Sequence, residues 1–234
     1  MYHSITIGEK NTWDDWRLIP SSRPLFNPPT PKTNTVEIPG GDGVLDLSEA
    51  LAGRPTYNNR TGSWTFYVTN GFKDWSVLYS EIMVYLHGRS FKAFLEDDPG
   101  YFYEGRFSVN AWKSDKDYSQ ITIDYDVGPY KKDVSSSGSD WLWDTFNFET
   151  GVIRNYKNLA VSDSLSVVVI GDVMESVPVI ICSASGMTVE YDGTVYNLSK
   201  GSNTISEIVL RSGENTLLFT GQGSITIENT GGRL

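Results

Sequence analysis

Four pairs of carboxylates lie close enough in the chain to suggest acid–base work: Asp14/Asp15, Asp97/Asp98, Asp124/Asp126 and Asp140/Asp144. Glycoside hydrolysis needs two carboxyl groups about 5–9.5 Å apart across the scissile bond, one of them with a raised pKa. Asp97 and Asp98 instead open the turn sequence Asp-Asp-Pro-Gly, and Asp124 and Asp126 are expected side by side on one face of a strand. Turn chemistry and solvation account for both pairs. The two histidines, His3 and His87, have no Cys or second His at ligand spacing, so neither zinc nor another transition metal is expected. A Gly-x-Ser-x-Gly elbow is missing, and Gly221-Gln222-Gly223 lacks the remaining glycine and the strand-to-helix context of a phosphate cradle. The chain therefore reads as a non-enzyme without catalytic residues, cofactor or metal.

The aromatic run from Trp141 to Phe148, WLWDTFNF, could make a sugar platform through Trp141 and Trp143. A two-domain, lectin-like carbohydrate-binding protein is thus an alternative reading. The same alternation also suits a strand buried between a sheet and its neighbour. Neither a His-x-Asn-x-Arg strand nor a Trp-Gly-x-Glu strand, with which galectins grip galactose, is present.

The elements around these residues are mostly strands. Phe107, Val109 and Ala111, then Ile121, Ile123 and Tyr125, alternate with period two and predict a long hairpin over 101–112 and 118–127. Trp75, Leu78, Ile82 and Leu86 recur at helical spacing, with Asp74 placed to cap the start and Gly88 to end the helix. Prolines at 20, 24, 28, 29, 31 and 39 exclude a helix there and predict a long extended arm. A turn, a short strand and one helical turn follow over 41–51. After the small polar run 133–140, short strands are expected over 165–170, 177–182, 187–191, 194–198, 204–209, 215–220 and 224–228. Asp192-Gly193 and Gly221-Gln222-Gly223 should close hairpins. The fold class is mainly β: an N-terminal β-sandwich-like domain over 1–132 with one helix and a long hairpin, a linker over 133–140, and a C-terminal β-sandwich over 141–234.

The 234 residues carry a formal net charge of −10. Residues 1–132 hold 14 Lys and Arg against 17 Asp and Glu, and the remainder hold 5 against 12. No basic patch offers phosphate neutralisation, so sequence-specific nucleic-acid binding is not expected. Cys182 is the only cysteine and sits in an apolar run, as a buried inert thiol would. The first ten residues lack the apolar segment of a secretory signal, and the longest apolar runs are far too short to span a bilayer, so membrane insertion is not expected.

The order of these phrases resembles the distal tail protein family of long-tailed, siphovirus-type bacteriophages. The resembling parts are the aromatic-rich first strand, the Pro-rich arm ending in Glu37-Ile38-Pro39-Gly40, the helix ending in His87-Gly88, the strand from Tyr103 to Trp112, the Gly128-Pro129-Tyr130 exit, and Trp141-Leu142-Trp143-Asp144. The resemblance spans the whole chain. It implies a structural virion protein at the far end of the tail, made in the bacterial host cytoplasm. It implies a ring of N-terminal domains, six copies around the tail channel, with the arm helping subunits embrace. It also implies a galectin-like C-terminal sandwich facing outward. The implied neighbours are the tail tube protein, a tail-associated hub protein, and receptor-binding or baseplate proteins at the baseplate or tail tip. Candidate interface residues on the arm and the long strands are Pro24, Phe26, Pro28, Pro29, Tyr103 and Trp112.

Overall fold

The computed structural model describes residues 2–69, 74–115, 118–134 and 156–234. The fold is mainly β and divides into two compact units, one built on Met1–Pro129 and one on Tyr130–Arg233.

The first unit contains β1 (Ile5–Ile7), β2 (Lys10–Asn11), β3 (Leu18–Pro20), β4 (Thr35–Glu37), β5 (Val44–Asp46), β6 (Arg60–Val68), α1 (Trp75–Leu86), β7 (Arg89–Leu95), β8 (Tyr101–Ser114) and β9 (Ser119–Val127). Seven of these strands form an antiparallel sheet in the order β2-β1-β7-β8-β9-β6-β3. β3 ends at Pro20 on the sheet's edge, where a missing N–H leaves no ladder bond unmade. Asp74 caps α1 by accepting the Ser76 N–H, and Gly88 follows the helix at φ 75°, a conformation that favours glycine. Leu78, Ile82 and Leu86 are fully buried and join Ile5, Ile7, Trp16, Phe66, Phe107, Ile121 and Ile123 in one core.

The long hairpin forms as expected, with one departure. A bulge between Val109 and Ala111 shifts the register, so Ala111 faces Thr122 and Trp112 faces Ile121. Phe107 and Val109 point into the core, but Trp112 rather than Ala111 continues their face. The extra residue, Asn110, instead donates its side-chain amide to Asp124.

The second unit contains β10 (Lys131–Asp133), β11 (Leu159–Gly171), β12 (Val179–Cys182), β13 (Met187–Tyr191), β14 (Thr194–Leu198), β15 (Gly201–Thr204), β16 (Gly213–Glu228) and β17 (Gly232–Arg233). Its sheet runs β14-β13-β16-β12-β15, with β11 paired along the other edge of β16 and β10 paired to β17. Asp192 and Gly193, at φ 47° and 75°, close the β13–β14 hairpin as their types predict. Gly221-Gln222-Gly223 closes nothing: β16 runs straight through it, paired with β11 from Gly213 to Ile225. On its other edge β16 pairs first with β13 and then with β12, and the glycines fall between the two pairings. Gly223 has φ 151°, and a Cβ there would press on Ser183 Oγ and Met187. The strand expected over 204–209 ends at Thr204. Cys182 is buried, and that burial pushes its thiol pKa up, away from reactivity.

Candidate assembly surfaces

The arm behaves in two ways along its length. From Ser21 to Asn27 it lies on its own sheet, beginning where Ser21 N–H donates to Thr65 O at 2.9 Å. Phe26 is the anchor, stacked on Tyr103 with ring centres 3.9 Å apart and edge-on to Trp64 and Tyr125 at 4.8 and 4.9 Å. Backbone groups on both sides are tied down. Trp64 Nε1 donates to Leu25 O, Asn27 N–H donates to Tyr125 Oη, and Arg60 Nη1 donates to Asn27 O. Arg60 Nε reaches Pro129 O at 2.8 Å, so one guanidinium holds both the arm and the unit's last residue. Arg60 is 5% exposed, and burial lowers its pKa. Gly62 is required beneath this layer, because a Cβ would collide with Tyr125 Oη and Asn27 Nδ2.

A second tether sits nearby. Asp97 receives His3 Nδ1–H at 2.8 Å and Arg23 Nε–H at 2.9 Å, tying the first residues and the arm to the β7–β8 turn. Burial alone pushes the Asp97 carboxyl up, but the hydrogen bonds from His3 and Arg23 and their charges outweigh it and hold the pKa below the usual value.

Beyond residue 33 the arm changes character. Among the described residues β4 and β5 pair only with each other, Val36 facing Leu45 and Glu37 facing Val44. Alternation places Val36, Ile38, Leu45 and Leu47 on one face of this ribbon, and all four are exposed, at 48%, 47%, 52% and 36%. A two-stranded ribbon is at best marginally stable alone in water, and this one turns its apolar face outward. Covering those four side chains would contribute roughly 1 kcal/mol each, since they are already about half buried.

The outward side of α1 is similar. Val77 and Val84 are exposed and, with Lys10, Ser80, Glu81, Tyr85 and Arg89, line a groove of about 650 Å³. At the helix's start, Trp75, Tyr79 and Trp112 cluster with ring centres 4.9 to 6.2 Å apart, and Trp112 remains half exposed.

Of the six interface residues expected from sequence, Phe26, Tyr103 and Pro24 are buried within their own unit. Phe26 and Tyr103 form its aromatic anchor, a role the sequence reading gave to a neighbouring chain. Pro28 is exposed, Pro29 partly so, and Trp112 stands at the open aromatic cluster. Sequence reasoning expected a short strand within 41–51, where β5 forms, but missed its pairing with β4 and the second face of α1. The available signals were the matching alternations Val36/Ile38 and Leu45/Leu47 on either side of Gly40-Gly41-Asp42-Gly43, and the scarcity of polar residues in α1.

Asp15, Asp97, Asp124 and Asp126, four of the acid–base candidates, have structural duties. Asp15 accepts from Asn11 N–H and from Lys10, and Asp126 accepts from Asn59. His87 caps α1, and its Nδ1 accepts the Val109 N–H at 3.2 Å. Among the described residues no cluster of three His, Cys, Asp or Glu side chains could hold a metal ion, and no helix is long and apolar enough to cross a membrane. Trp141 and Trp143, the candidate sugar platform, and the pair Asp140/Asp144 lie outside the described residues.

No protein-family model matches this chain, and no curated protein matches it in sequence. Among solved structures, the chain is similar to the Dit protein (gp 19.1) of SPP1, described as a paradigm of the hub adsorption apparatus in Gram-positive infecting phages. The similarity covers 100% of both chains at a TM-score of 0.60 and 13% sequence identity. The two chains share a fold from end to end.

Proposed function

We propose that this chain is a structural component of a bacteriophage tail, a distal tail protein that forms the hub between the tail tube and the baseplate or tip. The single observation that carries this reading is the fold shared with the SPP1 hub protein over the whole length of both chains. The exposed apolar ribbon and the second apolar face of α1 support it, because they suit a protein that works assembled. Closed rings are built from two different, complementary surfaces on each protomer. The ribbon (Thr35–Glu37 with Val44–Asp46), aided by Pro28 and Pro29, supplies one surface. The helix face and the cluster around Trp112 are candidates for the other.

In this reading six N-terminal units surround the tail channel. Their net negative charge lets DNA pass, because phosphates find nothing to neutralise them. The C-terminal units are placed to receive receptor-binding or baseplate proteins, while the ring meets the tail tube on one side and the tail-associated hub protein on the other. The protein acts by binding and positioning, not by catalysis. Gold-labelled antibody raised against the chain, applied to virions whose genome encodes it, is expected to mark the far end of the tail. Label confined to heads, or virions free of the chain, would overturn the assignment.

A further inference from the structure

Two Asp-Gly steps lie among the described residues, Asp42-Gly43 and Asp192-Gly193. In such a step the glycine amide nitrogen can attack the aspartate carboxyl carbon, because the glycine has no Cβ to block the approach and its backbone turns freely. The attack also needs a carboxyl group and an amide that are not held elsewhere. Asp42-Gly43 meets these conditions. It lies in the connection 38–43, where Gly40 and Gly43 have φ 76° and 79° and a Cβ on either would meet nothing within 4 Å. Asp42 is exposed. Among the described residues no hydrogen bond or ion pair engages its carboxylate or the Gly43 N–H, and the turn's own backbone bond runs from Gly41 N–H to Ile38 O at 3.1 Å. The ribbon around this turn has three residue pairs, and so short a ladder opens readily. Asp192-Gly193 is held differently. It is the whole connection between Tyr191 and Thr194, the last of five pairs in its hairpin, with Asp192 fixed at φ 47° and its carboxylate 3.8 Å from Arg211 Nη1.

We propose that Asp42 is a site of self-modification, where the folded chain converts aspartate to isoaspartate through a succinimide. Gly43 N bonds to Asp42 Cγ, and the amide proton leaves with the carboxylic hydroxyl as water. A second water then opens the five-membered ring. Breaking the bond from Gly43 N to Cγ restores aspartate. Breaking the bond from Gly43 N to the Asp42 main-chain carbonyl carbon leaves Gly43 joined through Cγ, which is isoaspartate. Atoms balance with one water lost and one gained, and the step needs no oxidant, metal or second protein. The product carries one extra methylene in the main chain of the turn. Turn length sets hairpin register, so the pairing of Glu37 with Val44 loosens in the modified chain. The hairpin at Asp192 is spared, because its turn cannot leave its resting geometry without opening the ladder.

Peptide mapping of the aged full chain tests this. The folded protein is kept in warm neutral buffer beside a synthetic peptide of residues 33–60, and samples are digested with trypsin over time. Digestion isolates Asp42 in the peptide 33–60 and Asp192 in the peptide 158–200, and electron-transfer fragmentation distinguishes isoaspartate from aspartate in each. Isoaspartate is expected to form about ten-fold faster at Asp42 than at Asp192. Equal rates at the two sites, or no isoaspartate at Asp42 by the time half of the synthetic peptide has converted, would overturn the proposal. Asp42→Glu keeps the charge but would have to close a six-membered ring, so its peptide 33–60 should stay unchanged. An isomer in that variant would place the chemistry at another residue. Asp42→Asn gives an independent readout, since the same attack expels ammonia and raises the mass of the intact chain. A mass that holds steady through the same incubation would contradict the geometry. In the aged fraction, amide exchange over 35–46 should quicken while that over 187–198 does not, and unchanged exchange over 35–46 would refute the loosened ribbon.

Discussion

Residues 21–27, in the Pro-rich arm, and 34–47, which carry the chain from that arm through the β4–β5 ribbon, are extended and hold one proline each, yet they meet opposite fates. The first stretch is short of apolar side chains and buries its key one, Phe26, among Tyr103, Trp64 and Tyr125. The second is richer in aliphatic residues and buries none of them. The two faces of α1 repeat the contrast, with Ile82 fully enclosed and Val84, two residues on, open to solvent. Hydrophobicity alone does not say whether a side chain serves its own fold or a neighbour's. What separates the two classes here is the presence of hydrogen-bonded clamps. Arg60, Trp64 and Tyr125 fix the backbone around Phe26, and among the described residues no such clamp joins the ribbon to the sheet.

The contrast predicts a hierarchy of mutational effects. Ile82→Asp buries an unpaired charge, costing at least several kcal/mol, and should leave the first unit unfolded by circular dichroism. Val84→Asp should leave it folded. Equal damage from both would mean that the outer face of α1 is covered within the protomer. Phe26→Ala removes the arm's anchor and is expected to cost about 3–5 kcal/mol in denaturant unfolding followed by tryptophan fluorescence. The ribbon double variant Val36→Ser/Leu45→Ser should change protomer stability by no more than about 0.5 kcal/mol when measured on dilute, monomeric protein. A loss as large as that of Phe26→Ala would erase the distinction between the two stretches.

The smallest effect concerns Asp97. Its folded pKa is depressed, so its ion pairs with His3 and Arg23 stabilise the fold above the unfolded carboxylate value of about 3.9. That contribution is lost as pH falls through the folded value. The stability gap between the natural protein and Asp97→Asn should accordingly be full near neutrality and shrink below about pH 4. A gap that stays constant down to strong acid would assign Asp97 a packing role instead.

Much of the fold was legible because its signals are local. The Asp74 cap and Gly88 stop bracket α1, Asp192-Gly193 closes its hairpin, and alternation marks the strands on both sides of 113–118. What escaped depends on partners distant in sequence. The bulge at Asn110 moves Trp112 onto the inner face only because β9 is its partner. Gly221-Gln222-Gly223 looks like a turn, but pairing with β11 carries β16 through it. Phe26 and Tyr103 were expected at an interface between copies, and within the protomer they stack on each other. The ribbon was hidden differently. Its alternation is only three residues deep on each strand, so the expected short strand within 41–51 had no visible partner, and Val36 fell in what read as an extended arm.

The central claim is that the chain closes into a ring through surfaces its own fold leaves open. The most direct test is the mass of the purified full chain by light scattering, paired with negative-stain images of the same sample, for the natural protein and for Val36→Ser/Leu45→Ser. The account predicts a discrete particle of six 26.1 kDa chains with a central hole, reduced to folded monomers by the ribbon substitutions. A natural chain that stays monomeric alone and with its tail neighbours, or a ring whose mass the ribbon substitutions leave unchanged, would contradict it.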